Sequence, residues 1–379
     1  MKSDMIALVV KLPFKKVRFG YVEDEPYKIY SEVIPSDRLW GNIIYNSFLT
    51  LDEKLANELI NSMYISTAFL YNEDTLFIPH FPNEKLIKFA ITKELLAPKD
   101  IKKLRWFPLN KFKEYINLDP KASSQKVKKW IEEEWAYISE MTEKEFYSVK
   151  TETNAKLPYL GETSEFVASP FHFSWVEFSK NSGYWSLIIL DPSSSDVEVS
   201  KLVDTLIKVL EFSSKVGLGS DTSLGFGKFE FNEENIYQLE CKIENNLTKP
   251  TNLFLISRTM LENINTLTQN KKITPTKLEV DISTGWTKGL FDEEKTSFAY
   301  RKIPLPVYRE GCVWKLNSIP EKFHIARIKS APSEVEFLKD LGIFILPVFW
   351  KEHISENPHS IYRNLSMLAF FTIDQEIDN

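Results

Sequence analysis

The pattern of apolar and polar residues along the chain predicts strands and helices in mixed order. Residues 5–12 form an apolar run rich in Val, Ile and Leu, which predicts a central strand buried on both faces. The other elements predicted before residue 240 are helices 36–48, 51–63, 124–140 and 197–212, a strand pair over 69–79, and strands 184–190 and 229–231.

The most regular of these patterns is the helix predicted over 197–212. Its apolar residues recur at intervals of three and four positions and form one stripe, as expected for a helix packed on a core. They are Val199, Leu202, Val203, Leu206, Ile207 and Leu210. Asp196 is a suitable N-cap residue for this helix.

The order of elements predicts a fold class and two domains. Strand, helix, two strands and a further strand–helix–strand unit match a decorated βαββαβ, or ferredoxin-like, plan in the α+β class. A lysine-rich stretch, about 98–160, has a weaker apolar rhythm and is predicted to be an insertion outside the core. The first domain spans 1–240. The second, 250–379, is less regular, with strands at 252–257, 312–316 and 343–348 and a helix at 333–341.

Composition and charge restrict the classes of function. The 43% apolar and 26% charged residues are typical of a globular protein, and no apolar run is long enough for a membrane span. A net charge of −6 argues against capture of free nucleic acid by charge alone, because neutralising phosphates requires Lys and Arg. A local basic groove remains compatible with it. The two cysteines, Cys241 and Cys312, lack a metal-binding spacing and favour a reducing cytoplasm.

A glycine-rich segment carries the strongest local signal. Residues 217–227, GLGSDTSLGFG, contain four of the twelve glycines of the chain and three hydroxyl side chains. Glycine permits positive φ and lets the backbone approach a ligand, and a loop rich in exposed N–H groups can hold phosphate oxygens. We define residues 217–227 as the glycine loop and predict phosphate contacts mainly from its backbone N–H groups.

The glycine loop fails the tests for two common nucleotide sites. The dinucleotide fingerprint needs a strand before the loop and a helix after it, whereas the predicted order here is helix, loop, strand. A P-loop needs Gly-Lys followed by Ser or Thr, but Gly227-Lys228 is followed by Phe229. A glycine-rich turn without a ligand stays open as the alternative, because glycine is common at helix C-termini.

Four motifs together resemble the CRISPR-associated RAMP superfamily, and within it the Cas five-like subunit of the type III-A (Csm) complex or a close type III relative. The first is the glycine loop, with its G-x-G-x5-G-F-G spacing between a helix and a strand. The others are residues 35–41 (PSDRLWG), residues 66–69 with 76–79 (STAF and LFIP), and residues 285–286 with 309–313 (GW and REGCV).

The resemblance implies two ferredoxin-like (RRM-like) domains in a non-catalytic subunit. It implies binding of the repeat-derived 5′ handle of the guide RNA (crRNA), and contact with the large Palm-domain subunit and an adjacent RAMP backbone subunit. The RNA-binding candidates are Arg38, Lys156, Lys215, Gly217, Gly219, Ser220, Thr222, Ser223, Gly225, Gly227 and Lys228. Asp221 departs from the family pattern, and its negative charge is expected to weaken phosphate binding.

A second hypothesis is a repeat-cleaving endoribonuclease of the same superfamily. Such an enzyme needs a general base at the scissile 2′-hydroxyl. The five histidines include no HxH or HxxxH pair, and His80 alone lies near the motifs of the first domain. In the nucleases the glycine-rich loop normally lies near the C-terminus, whereas about 150 residues follow it here. We therefore predict no catalytic residue, no metal and no cofactor.

Overall fold

The computed structural model describes residues 5–18, 32–143, 145–156, 169–194, 197–219, 221–243, 251–260, 268–269, 272–283, 290–291, 297–298, 304–317, 323–347, 349–353 and 360–372. Its α-helices are α1 (Ser36–Thr50), α2 (Glu53–Ser62), α3 (Glu84–Thr92), α4 (Pro98–Lys103), α5 (Leu109–Asn117), α6 (Ser124–Glu143) and α7 (Val199–Val216). Among these residues, no helix has the length and low charge needed to cross a bilayer.

We call the part of the chain before residue 250 the first half and the part after it the second half. The strands of the first half are β1 (Ile6–Leu12), β2 (Lys16–Val17), β3 (Met63–Ile65), β4 (Phe69–Asn72), β5 (Thr75–Pro79), β6 (Trp106–Pro108), β7 (Tyr147–Lys156), β8 (Ser169–Phe178), β9 (Ser182–Leu190) and β10 (Ile236–Ile243). Those of the second half are β11 (Thr251–Leu255), β12 (Thr259–Met260), β13 (Ile273–Lys277), β14 (Val280–Ser283), β15 (Leu290–Phe291), β16 (Ser297–Phe298), β17 (Leu305–Tyr308), β18 (Val313–Leu316), β19 (His324–Ser330), β20 (Leu341–Leu346), β21 (Phe349–His353), β22 (Ser360–Asn364) and β23 (Met367–Thr372).

The first half has the ferredoxin-like strand order. Strands β10, β1, β9 and β4 lie side by side, and each neighbouring pair is antiparallel. In chain order these are the fourth, first, third and second strands of a βαββαβ unit, with α1 and α7 as its helices. The α+β class and the ferredoxin-like plan predicted from the sequence are therefore confirmed.

The second half repeats the same order in the same sheet. Strands β23, β11, β18 and β13 are neighbours and antiparallel, again in the order fourth, first, third, second. Between β18 and β23 the chain adds β19 and β20 as further strands. Because β19 pairs with β10, the two halves share one continuous sheet of thirteen strands within the described residues.

Both faces of this sheet are covered, which explains the apolar run at β1. Leu8 and Val10 point into the core formed with α1, α2 and α7. Ala7 and Val9 point to the opposite core, which includes side chains of α3, α5 and α6. A strand buried on both faces has no solvated positions, so its sequence does not alternate.

Three predictions of secondary structure or core position were wrong. The lysine-rich region 98–160 is part of the core, because its aromatic residues, among them Phe107, Phe112, Tyr115 and Trp130, cover the second face of the sheet. The strand predicted at 229–231 is only an isolated bridge between Phe14 and Phe229, and the closing strand is β10. The helix predicted at 333–341 is a short 3-10 segment, Ser333–Leu338, interrupted by non-helical Val335.

Candidate nucleic-acid interface

The glycine loop begins where α7 ends. Gly217 caps the helix with a φ of 92°, and its N–H donates to the carbonyl of Ser213. The Leu218 N–H donates to the carbonyl of Gly227 at 2.9 Å and closes the loop across its base. A Cβ at Gly227 would lie 1.9 Å from the carbonyl oxygen of Leu218. Glycine at 217 and 227 is therefore required by the closed shape of the loop, whether or not a ligand binds.

Gly219 and Gly225 differ from this pair because they lie away from the closed base. Both have positive φ, 100° and 83°. Gly225 ends a single 3-10 turn, Thr222–Leu224, and a Cβ built at Gly225 would meet no atom within 4 Å. Its backbone conformation favours glycine, but the space beside it is open. Position 225 can therefore accept a side chain on the loop surface.

Most described N–H groups of the loop already donate within the protein. The Gly219 N–H donates to Oδ1 of Asn42 on α1, and the Gly227 N–H donates to the carbonyl of Lys16. The N–H groups of Leu224 and Phe226 both donate to the carbonyl of Asp221. These donors hold the loop in shape, and phosphate contacts from the other backbone N–H groups of the loop stay a prediction.

Side chains form the solvent-facing surface of the loop. Ser223, Lys215 and Lys228 are exposed, and Thr222 is half-buried. Leu224, at the end of the 3-10 turn, is 64% exposed. Hydroxyl and ammonium groups can donate hydrogen bonds to phosphate oxygens. Of the predicted set, Thr222 and Ser223 lie in the glycine loop, and Lys215 and Lys228 flank it at the end of α7 and directly after Gly227.

A short strand from the start of the chain packs against this loop. The ammonium of Lys16 on β2 lies 4.5 Å from the ring centroid of Phe226, and Trp175 on β8 contacts the same ring edge to face at 5.8 Å. Arg18, just after β2, forms an ion pair with Asp221, with 2.5 Å between Nη1 and Oδ2. The charge of Asp221 is therefore paired, and this pairing was not predicted from the sequence.

Of the remaining candidates, two lie partly or wholly outside the described residues. Ser220 is outside them, and Lys156 is described only as the end of β7, without its side chain. Arg38 lies in the first turn of α1, and its carbonyl accepts a hydrogen bond from the Asn42 amide that also contacts the loop. Burial lowers the pKa of Arg38, and nearby Asp37 opposes that shift.

A second polar region lies beside Arg38 at the junction of the two halves, and we call it the charged cluster. Its members are Ser36, Asp37, Thr67, Arg258, Asp281, Ser283, Arg309 and Glu310. Arg258 Nη2 lies 2.8 Å from Oδ2 of Asp281, and its Nε lies 3.7 Å from Oε2 of Glu310. The side chains of Arg258 and Glu310 are only 7% and 1% exposed. The charges of Arg258 and Glu310 are therefore paired inside the protein, although Arg258 Nε makes no hydrogen bond within the described residues.

The cluster joins three of the motifs that carried the family resemblance. Ser36 accepts a hydrogen bond from the Arg258 N–H, and Ser283 donates to Oδ2 of Asp37. Thr67 donates to Oε2 of Glu310 at 3.3 Å. The motifs at 35–41, 66–69 and 309–313 thus meet across the boundary between the halves. Residues 285–286, the other part of the second-half motif, lie outside the described residues.

His80 makes contacts that account for both ring nitrogens. Its Nε2 lies 3.0 Å from the hydroxyl of Tyr115, which also accepts a hydrogen bond from the Asn83 N–H. A backbone hydrogen bond to Leu104 engages the ring as well. Burial, helped by the charge of Lys277, lowers the pKa of His80 to about 4. The imidazole is therefore neutral near pH 7 and joins β5 to the α5 region.

Among the described residues, no group of three or more His, Cys, Asp or Glu side chains is arranged to hold a metal ion. His324 Nε2 lies 3.5 Å from the buried carboxylate of Asp191, and neither residue belongs to the glycine loop.

Comparison with known proteins gave matches to solved structures only. No protein-family model matches the sequence, and no curated protein matches it. A chain of the Csm3–Csm4 subcomplex of the type III-A CRISPR-Cas interference complex matches with 16% identity over 85% of this chain and 96% of that chain, at a TM-score of 0.47.

Two further matches come from related assemblies. A chain of the Csm1–Csm4 cassette in complex with cA4 has 14% identity over 96% of this chain and 97% of that chain, with a TM-score of 0.47. A chain of the type III-B Cmr-beta complex bound to cognate target RNA has 11% identity over 62% and 61%, with a TM-score of 0.34. At such identities and scores, the partners and ligands of the matched proteins do not transfer to this chain.

Proposed function

We propose that this chain is a non-catalytic, RNA-binding subunit of a type III CRISPR ribonucleoprotein. It binds the repeat-derived 5′ handle of the guide RNA at the glycine loop and bridges it to the large Palm-domain subunit and an adjacent RAMP backbone subunit. The observation that carries the proposal is the closed glycine loop, held between α7, α1 and β2, with Lys215, Thr222, Ser223 and Lys228 at its surface.

The closed loop and the polar side chains at its surface suit a ligand that carries phosphates. A loop closed by its own hydrogen bonds is ordered before the ligand arrives, so binding costs less conformational entropy. Ammonium and hydroxyl donors fix the position of a nucleic-acid backbone without reading its bases. Since the whole chain carries a net charge of −6, this local surface supports RNA held inside an assembly better than capture of free RNA.

The contacts of His80 support a non-catalytic role. A general base for RNA cleavage must reach the 2′-hydroxyl and hold a suitable pKa. His80 has both nitrogens engaged and a pKa of about 4, so it is poorly placed to exchange a proton with a substrate near pH 7.

The first test is purification of the tagged protein from its own host under native conditions, followed by sequencing of bound RNA and identification of bound proteins. We expect small RNAs that share a 5′ handle, together with a Palm-domain subunit. If small RNA and CRISPR subunits are absent, the proposal fails. Incubation of the purified protein with labelled repeat RNA tests the nuclease hypothesis, since metal-independent cleavage at one position would replace the proposal by that activity.

A pair of substitutions at Gly225 tests the glycine loop itself. Asp and Asn have nearly the same shape and both tolerate positive φ, and the space beside Gly225 is open. We expect Gly225→Asp to weaken handle RNA binding roughly tenfold more than Gly225→Asn, because only the former adds a negative charge. Affinity is measured by fluorescence anisotropy at several salt concentrations, with circular dichroism to verify folding. Equal affinities of the two folded variants would count against the assigned role.

A further inference from the structure

Asp221 presents a problem for a loop that binds phosphates. It occupies the middle of the glycine loop, between Gly219 and the 3-10 turn, with a left-handed backbone conformation (φ 56°). Its side chain is 31% exposed, so its charge is at the surface that the RNA would approach. An unpaired carboxylate near a phosphate would weaken binding by a factor on the order of five to ten.

Arg18 supplies the opposite charge from a distant part of the chain. Its Nη1 contacts Oδ2 of Asp221 at 2.5 Å, and its side chain is only 12% exposed. The contact spans 203 positions in the sequence. β2 fixes the backbone just before Arg18, because it pairs with β8 through Lys16–Glu177 and Val17–Val176.

The shape of the loop rests on other contacts. The carbonyl of Asp221, not its side chain, accepts the N–H groups of Leu224 and Phe226. The Gly227 N–H donates to the carbonyl of Lys16, and the Phe226 ring is held between Lys16 and Trp175. The charges at positions 18 and 221 can therefore be changed while these backbone and ring contacts persist.

We infer that Arg18 is a positioning residue of the RNA-binding loop, which acts on the ligand through Asp221. By cancelling the charge of Asp221 it makes the loop surface acceptable to a phosphate, and it does so without contacting the RNA. This role rests on the proposed function of the loop. It adds a residue that lies outside the glycine loop and outside every motif of the sequence analysis.

The test is a double-mutant cycle with the full-length chain and a short labelled RNA that carries the 5′ handle. Arg18→Gln keeps a polar side chain and removes the charge, and we expect roughly tenfold weaker binding. Asp221→Asn removes the carboxylate from the loop surface and is expected to bind RNA as tightly as wild type or tighter. The double variant restores neutrality, so its affinity should return to within about twofold of wild type. Arg18→Lys, which keeps the charge, serves as the matched control.

Three outcomes overturn this inference. Unchanged affinity of Arg18→Gln means that the pairing is irrelevant to binding. A double variant as weak as Arg18→Gln, with a salt-dependence slope reduced by about one, means that Arg18 contacts a phosphate directly. Weaker binding by Asp221→Asn means that the carboxylate itself is needed. This test remains valid even if Arg18→Gln does not fold. Wild-type protein that carries no handle RNA even within its native assembly overturns the proposed function itself, which none of the three variant results does.

Discussion

The glycine loop and the charged cluster are both polar, and both contain motifs of the family resemblance, but they use polar groups in opposite ways. In the loop, backbone groups satisfy one another, while the side chains of Ser223, Lys215 and Lys228 remain in solvent. In the cluster, side chains such as Arg258 and Glu310 are buried and satisfy one another. Exposed polar groups are available to a ligand, whereas buried ones contribute to the folded structure.

This difference distinguishes two roles that a sequence motif can have, contact with a ligand and contact within the folded chain. Residues 35–41, 66–69 and 309–313 belong to the same pattern of resemblance as the glycine loop, yet Asp37, Thr67 and Glu310 from these motifs meet in a buried contact between the halves. These three motifs therefore join the two halves, whereas ligand contact is the role proposed for the glycine loop. Experiments that measure stability and RNA affinity on the same variants can separate the two.

The largest expected effect is on stability, at the charged cluster. Arg258→Met removes one of the two arginines that pair with the buried Glu310 and leaves it with Arg309, 3.4 Å away, so we expect a loss of about 3 kcal/mol in the free energy of unfolding. Chemical denaturation measures it. The control is Lys85→Ala, which breaks the exposed Lys85–Asp119 pair and should cost less than about 1 kcal/mol. RNA affinity of the folded Arg258→Met variant should stay near wild type.

A cost at position 258 no larger than that of Lys85→Ala would contradict the assigned role of the cluster. The further variant Arg258→Met with Glu310→Leu sharpens the test. Removing both charges should cost less than the sum of the single changes, because the two side chains form one buried ion pair.

The second-largest expected effect is the pH dependence of stability that comes from His80. This half-buried side chain, like the charged cluster, lies away from the glycine loop. Its pKa is about 4 in the folded chain and 6.5 in a free histidine, so the unfolded chain takes up a proton first as the pH falls. The stabilisation from neutral His80 is complete above pH 6.5 and is lost towards pH 4, by about 3 kcal/mol in total.

Denaturation at a series of pH values measures this loss, and His80→Gln is the matched variant. Other acidic and basic groups titrate in both proteins, so the difference between the two pH profiles isolates His80. We expect the fall in stability between pH 6.5 and 4 to be smaller by about 3 kcal/mol in His80→Gln. Identical profiles would mean that His80 is protonated in the folded chain as easily as in the unfolded one.

Local patterns in the sequence predicted the elements that depend on local chemistry. The apolar run at β1 and the stripe of α7 were both predicted close to their observed bounds. The closing strand was placed too early, at 229–231, because Phe229 and Phe231 mimic the alternation of a strand. The true strand, β10, also alternates apolar and polar residues (IYQLECKI), but only Leu239 and Cys241 are buried.

Contacts between distant residues were not predictable from one sequence. The charge of Arg18 has no local signal that links it to Asp221, and the cluster joins Asp37 to Ser283 across 246 positions. Likewise, lysines made region 98–160 resemble a surface insertion, although Trp130 and Phe112 cover one face of the sheet. Because charged residues are frequent on the outer side of this layer, the sequence pattern did not reveal its buried side.

The smallest expected effect separates the two kinds of glycine within the loop. An Ala at position 227 would place its Cβ 1.9 Å from the carbonyl oxygen of Leu218, in addition to the cost of positive φ. We expect Gly227→Ala to lose about 2–3 kcal/mol of stability. Gly225→Ala carries only the backbone cost of about 1 kcal/mol, since its Cβ meets no atom within 4 Å. Thermal and chemical unfolding of the two variants compares them directly. A larger loss at 225 than at 227 would mean that the loop is not closed by the Leu218–Gly227 contact, and that its surface and its base are held in another way.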